Sequence, residues 1–136
     1  MEHRKIETAT SDDRGRICDV FYKADINHVA IIESHRAGLI RGNHYHKQTT
    51  QHILITRGAL RYWYRPVDDR EPVRSVVVNE YEIVSTPPFE VHALEILAPN
   101  QFVVFSTGLR GGHDYEADTF RDIVILTPEM VGQPVS

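Results

Sequence analysis

His44 and His46 stand two residues apart in Arg41-Gly42-Asn43-His44-Tyr45-His46, and that spacing has a chemical meaning. On an extended strand both imidazoles leave one face while Tyr45 points to the other. One short segment then delivers two nitrogen ligands, or two proton-transfer groups, to a single point. Arg36 and Arg41 flank the pair, and a local arginine cluster suits a small phosphorylated ligand. A further histidine, His92, follows Pro87-Pro88, where two prolines restrict the backbone just before the imidazole.

These side chains need a rigid carrier, and the chain around them reads as strands. Ile53 to Ile55 is aliphatic and β-branched, Gly58-Ala59 offers a tight turn, and Leu60 to Tyr64 continues as a second strand, so the histidine pair enters a β-hairpin. Upstream, Ser11 to Gly15 is a turn cluster, Arg16 to Tyr22 a short strand, and Asn27 to His35 the next. Downstream, Val73 to Val78, Tyr81 to Val84, His92 to Leu97 and Gln101 to Ser106 read as strands, and Gly108 to Asp114 as a glycine-bearing loop. Asp118 to Thr127 reads as a strand or short helix ended by Pro128. Residues 1–10 read as a frayed arm or an outer strand that pairs with a second subunit. About eight or nine short strands at hairpin spacing predict an all-β barrel or jelly roll with a pocket at one mouth.

Composition narrows the function classes. At 136 residues the chain predicts one domain, 1–136. With 25% charged and 41% hydrophobic residues it reads as a soluble globular protein. No apolar run reaches the length of a spanning helix and no secretory signal is visible, so the expected location is the cytoplasm, without a membrane partner. A single cysteine, Cys18, agrees with a reducing compartment. The net charge of −4 argues against a nucleic-acid partner.

The spacing from His44 to Gly58 and from Pro87 to His92 resembles the two signature motifs of the cupin superfamily. Gln51 stands at the first motif's glutamate position, Gly58 at its glycine, and Phe89 replaces the glycine of the second. The resemblance implies a small β-barrel with His44, His46, Gln51 and His92 converging on its interior. The Arg-Gly-x-His text is similar to nucleotide-sugar cupins: dTDP-4-dehydrorhamnose 3,5-epimerases, sugar 3,4-ketoisomerases and the cupin domains of capsular-polysaccharide enzymes. Gln51 resembles the ketoisomerases, whereas Asn43 to His46 with Asp118-Thr119-Phe120 is closer to the capsular type.

On that resemblance the protein is expected to isomerise a nucleotide-linked 4-keto deoxysugar as a homodimer, with no cofactor required. A histidine, with an unperturbed pKa of about 6.5, can remove and return a proton beside a carbonyl. His44 or His46 is then the base, the other with Gln51 and His92 orients the keto oxygen, Tyr62 or Tyr64 is a proton donor, and Arg41 with Arg36 grips the diphosphate. Two alternatives stay open. A metal-dependent cupin enzyme, a dioxygenase or small-acid isomerase, would hold Zn, Fe, Ni or Cu on His44, His46, Gln51 and His92, with His52 replacing Gln51 if the strand register turns it inward. A non-catalytic cupin would bind sugar or metal without turnover. His3, His28, His35 and His113 are read as surface or structural histidines, Asp68-Asp69 as loop solvation and Cys18 as a buried inert thiol.

Overall fold

In a computed structural model, which describes residues 1–68, 70–108 and 112–133 with the side chains of 112 and 113 set aside, eleven strands and two short 3-10 turns form. The strands are β1 (Glu2–Lys5), β2 (Thr8–Asp12), β3 (Gly15–Cys18), β4 (His28–Ser34), β5 (Ile40–His44), β6 (Gln51–Arg57), β7 (Leu60–Pro66), β8 (Arg74–Val78), β9 (Glu82–Thr86), β10 (Glu90–Ile96) and β11 (Asn100–Ser106). They make a five-stranded sheet, β1-β9-β6-β11-β4, facing a four-stranded sheet, β5-β10-β7-β8, with β2-β3 a separate hairpin. The all-β expectation holds.

Between the sheets lie Ile53, Ile55, Leu60, Tyr62, Leu94, Ile96, Phe102 and Val104. Their period-2 spacing is the reason they share the interior. β10, by contrast, is buried at every position. Its inner residues His92, Leu94 and Ile96 face the core, while Val91, Ala93 and Glu95 lie under the C-terminal segment. That segment forms neither the expected strand nor the expected helix. Ile125 and Leu126 lie irregularly on Tyr45, Val91 and Ala93, and Asn43 fixes their backbone: its amide oxygen accepts from the N–H groups of Ile125 and Leu126, both at 3.1 Å, and its amide nitrogen donates to the Leu126 carbonyl at 2.9 Å. Pro128 opens a 3-10 turn rather than ending an element. Farther out, Glu95 accepts from Trp63 Nε1 at 3.1 Å and from the Gly132 N–H at 2.9 Å, with Arg61 beside it.

Other differences have equally local causes. Residues 2–5 pair with β9, and Ile6 is buried against Leu54 and Ile83. The strand expected over 16–22 stops at Cys18, because Val20 and Phe21 pack on the outer face of the five-stranded sheet instead of pairing. Cys18 is half-buried there. His3 pairs with Glu82, His35 is exposed, and Asp68 binds the Arg70 side chain. Asp69, residues 109–111 of the expected loop and the His113 side chain lie outside the described residues.

The turn at Gly58-Ala59 forms as expected, and it needs its glycine. Gly58 has φ +80°, and a Cβ there would sit 2.5 Å from the Pro99 carbonyl oxygen and 2.7 Å from Asn100 Cβ. Gly58→Ala is therefore expected to destabilise the fold by more than about 2 kcal/mol. Gly38→Ala, with φ +90° but its nearest neighbour at 4.0 Å, should cost only the backbone strain of about 1–2 kcal/mol. Urea unfolding of both variants checks the order; equal midpoints would contradict it.

Candidate functional site

The site begins with an irregularity in β5. His44 is the register partner of His92 and Gly42 that of Ala93, so Asn43 is an extra residue and the pair is bulged. Gly42, at φ +84°, and Asn43, at φ +60°, supply the left-handed backbone this requires. A Cβ on Gly42 would lie 3.0 Å from the His92 carbonyl oxygen. The extra residue changes the parity of the strand. Arg41 and His44, three apart, would point to opposite faces of a regular strand, and here both line one cavity.

That cavity has a volume of about 250 Å³. Arg41, His44, Gln51, His92 and Tyr115 supply its polar lining, and Ile32, Ile53, Leu94, Phe102 and Val104 its apolar wall. The three imidazoles of His44, His46 and His92 meet, with ring centres 4.7 Å (44–92), 4.9 Å (44–46) and 5.5 Å (46–92) apart. β5 ends at His44, so the pair does not share one strand face as its spacing suggests. His46 lies on the following loop, while Tyr45 does turn away, bridging Phe120 and stacking on it at 5.3 Å.

The loop after β5 folds around one carboxylate. Asp118 accepts the main-chain N–H groups of Lys47 (2.8 Å), Gln48 (3.0 Å) and Thr49 (3.0 Å), together with the Thr49 hydroxyl (2.9 Å). Burial by itself raises the Asp118 pKa; these bonds outweigh it and hold the carboxyl below its ordinary value. The Asp118 carbonyl also faces His46 Nδ1 at 2.7 Å, and the Glu90 carbonyl faces His92 Nδ1 at 3.2 Å. A carbonyl only accepts, so in the neutral rings both Nδ1 atoms carry the proton and Nε2 is the basic nitrogen.

Of the residues singled out from sequence, His44, His46, His92, Gln51 and Arg41 come together. Arg41 is aimed by β4: its Nε donates to Ser34 Oγ at 2.9 Å and a terminal nitrogen to the Glu33 carbonyl at 2.8 Å. Arg36 does not join them; it is exposed on the loop between β4 and β5. The register question is answered by Gln51, which faces inward, buried, beside Ile53. His52 points outward, its Nδ1 2.7 Å from Ser85 Oγ and its ring against Phe21. Burial, with Arg4 nearby, lowers the His52 pKa. Tyr62 and Tyr64 do not line the cavity. The Tyr62 hydroxyl is buried between Thr86 (2.5 Å) and Glu90 (2.9 Å), and burial followed by the charge of Glu90 pushes its pKa well above the ordinary value. Tyr115 was not singled out, because a residue beside a glycine-bearing loop carries no periodic signal. Asp118 had drawn notice only through its resemblance to the capsular type.

For a metal, nitrogens of His44, His46 and His92 lie within 4.8 Å of one another. Three imidazoles are a fitting donor set for zinc, iron, nickel or copper. Gln51, standing where a cupin carboxylate would, brings no charge to a fourth position.

Residues 10–120 match the family described as polysaccharide biosynthesis C-terminal domain. No curated protein matches the chain. Among solved structures, a point variant of the QdtA 3,4-ketoisomerase from Thermoanaerobacterium thermosaccharolyticum, bound to TDP-4-keto-6-deoxyglucose, is similar at TM-score 0.74 and 16% identity over 89% of this chain and 86% of that one. A 3,4-ketoisomerase from Helicobacter canadensis gives 0.74 and 15% over 90% and 92%. The dTDP-4-dehydrorhamnose 3,5-epimerase of Bacillus anthracis, bound to TDP and PPi, gives 0.68 and 19% over 83% and 74%. At these identities the likeness establishes the shared cupin-type fold.

Asp118→Asn tests the loop anchor. Replacing the charged acceptor is expected to lower stability at pH 7 by about 2–3 kcal/mol. Because the folded pKa is depressed, the carboxylate's contribution is complete above the unfolded value of about 3.9 and is lost as pH falls through the lower folded one. The gap between parent and variant in urea unfolding should therefore narrow below about pH 4; a gap that stays constant down to pH 3 would contradict it.

Proposed function

The chain belongs to the polysaccharide biosynthesis C-terminal domain family, and from that membership we propose that it is a nucleotide-sugar isomerase, an epimerase or ketoisomerase acting beside the carbonyl of a 4-keto deoxysugar. The observation that carries the reading is the convergence of three buried imidazoles, two of which, His44 and His92, line one cavity with Arg41. His44, the member of the pair that lines the cavity, takes the proton from the carbon next to the carbonyl. His92 and Gln51 orient the keto oxygen, on which negative charge develops as the enolate forms. Arg41 binds the diphosphate, with two of its nitrogens already committed to Ser34 and Glu33 so that little freedom is lost on binding. The apolar wall of Ile53, Leu94, Phe102 and Val104 suits a deoxy carbon. The thymidine and keto-sugar ligands of the similar ketoisomerase and epimerase structures support the same substrate class.

A metal-dependent cupin enzyme is the second reading, favoured by the mutual closeness of the histidine nitrogens. Homodimer formation in the cytoplasm belongs to the main proposal. Val29 and Ile31 are exposed on edge strand β4, 55% and 68%, and suit a paired face; the single Cys18 suits a reducing compartment.

Incubation with dTDP- or UDP-linked 4-keto-6-deoxyglucose in deuterium oxide should place solvent label beside the carbonyl. Absence of label with both sugars would count against the isomerase reading. His44→Asn should lower turnover by about 10²–10⁴-fold, and Arg41→Ala should raise KM by tenfold or more with a smaller change in kcat. Activity that survives exhaustive chelation rejects the metal reading, and activity restored by one added metal supports it. Sedimentation as a monomer at working concentration would remove the dimer.

A further inference from the structure

The inner face of the five-stranded sheet carries its side chains in rows, because residues directly opposite on neighbouring strands share a face, with Cβ atoms about 5 Å apart. The cavity crosses three such rows. Ile32 stands opposite Phe102, the next row runs Ala30-Val104-Ile53, and the last runs His28-Ser106-Gln51-Thr86. Each row gives residues to the cavity wall: Ile32 and Phe102, then Val104 and Ile53, then Gln51. The last row is the polar one. At one end Thr86 closes on the Tyr62 hydroxyl. Beyond Gln51 the row continues toward edge strand β4 with two groups that stay open. Ser106 is 0% exposed, and its Oγ and the buried Nδ1 of His28 have no hydrogen-bond partner among the described residues. His28, read from the sequence as a surface or structural histidine, is thus half-buried with one ring nitrogen inside.

The main chain that carries these groups is pinned. The Asn27 N–H donates to the Ser106 carbonyl at 3.0 Å, the Thr107 N–H to the Thr50 carbonyl at 3.1 Å, and the Thr50 N–H to Thr107 Oγ1 at 3.2 Å. A buried polar atom without a partner lowers stability, and alanine would occupy the Ser106 position without that cost. Resting on the isomerase reading, we infer that His28 and Ser106 form a specificity subsite for the sugar hydroxyl on the carbon next to the carbonyl. A 4-keto-6-deoxy sugar is unlike on its two sides: one carbon beside the carbonyl bears a hydroxyl, the other a methyl. With the keto oxygen at Gln51 and His92, the hydroxyl side runs along the polar row, and the methyl side meets Ile53, Leu94, Phe102 and Val104. The Ser106 hydroxyl donates and accepts, and His28 Nδ1 takes either part according to its tautomer, so one ligand hydroxyl satisfies both. A sugar lacking that hydroxyl leaves two polar atoms sealed away from any partner, which is how such a site discriminates. The same contact presents the hydroxyl-bearing carbon to His44.

Titration calorimetry in a His44→Asn background, where the sugar is not consumed, compares TDP, dTDP-4-keto-6-deoxyglucose and the 3-deoxy analogue that lacks this hydroxyl. The background protein should bind the hydroxylated sugar about tenfold or more tighter than the analogue. Adding Ser106→Ala should bring the two sugars within about twofold and leave TDP affinity unchanged. The urea midpoint of the ligand-free protein should stay equal or rise, because the substitution removes an unpaired group. His28→Leu should erase the same preference. Equal affinities before the substitutions, or a preference that survives both of them, overturns the subsite and leaves the isomerase reading standing. A lower urea midpoint for Ser106→Ala also overturns it, since Ser106 would then serve the fold rather than the ligand. Should the parent protein place no solvent label beside the carbonyl and its His44→Asn form bind neither keto-sugar more tightly than TDP, the isomerase reading falls and the subsite with it.

Discussion

The arrangement rests on a buried carboxylate enclosed by main-chain amides. Asp118 is 1% exposed, and an ion taken out of water is tolerated only when donors surround it. The loop from Lys47 to Thr49 supplies those donors by turning its N–H groups inward. The bargain is mutual: a loop between two strands has N–H groups that no ladder satisfies, and the carboxylate is the acceptor they converge on. The same interaction joins two segments about 70 residues apart and sets one imidazole. Through Asp118 the irregular C-terminal region becomes part of the site.

The second constraint is the bulge at Gly42-Asn43. A sheet delivers side chains alternately to its two faces, which limits how many polar groups one strand can send to one point. The extra residue relaxes that limit, letting Arg41 and His44 share a cavity, and the displaced Asn43 side chain gains a task of its own in binding the main chain of Ile125 and Leu126. One irregularity thus aims the site and holds the segment that covers the outer face of β10. The consequence is a strand buried on both faces, an uncommon state for an antiparallel sheet.

The interior is organised by polarity as well as by packing. Ile53, Leu94, Phe102 and Val104 belong both to the core and to the cavity wall, so the pocket is an opening in the core rather than a groove laid over it. Two buried polar sets beside it close on themselves. Tyr62 closes on Thr86 and Glu90, and Glu95 closes on Trp63 and the Gly132 main chain. Such closed sets rigidify the walls while leaving His44, His92, Gln51, Arg41 and Tyr115 to face the ligand space.

Alternation and turn residues suffice to read most of the strands from β4 to β11, whereas β6, buried at Ile53, Leu54 and Ile55 alike, leaves its register open. The histidine spacing likewise marks where chemistry belongs, and Gly58 marks a turn that admits no side chain. What the chain alone does not reveal are the contacts closed by irregular backbone. The bulge that turns Arg41 inward, the choice of Gln51 over His52, the covering of β10 by residues 120–133 and the arrival of Tyr115 on an Asp118-held segment all depend on hydrogen bonds between segments distant in sequence. Local periodicity reports which face a residue prefers; only the folded chain decides which two faces meet.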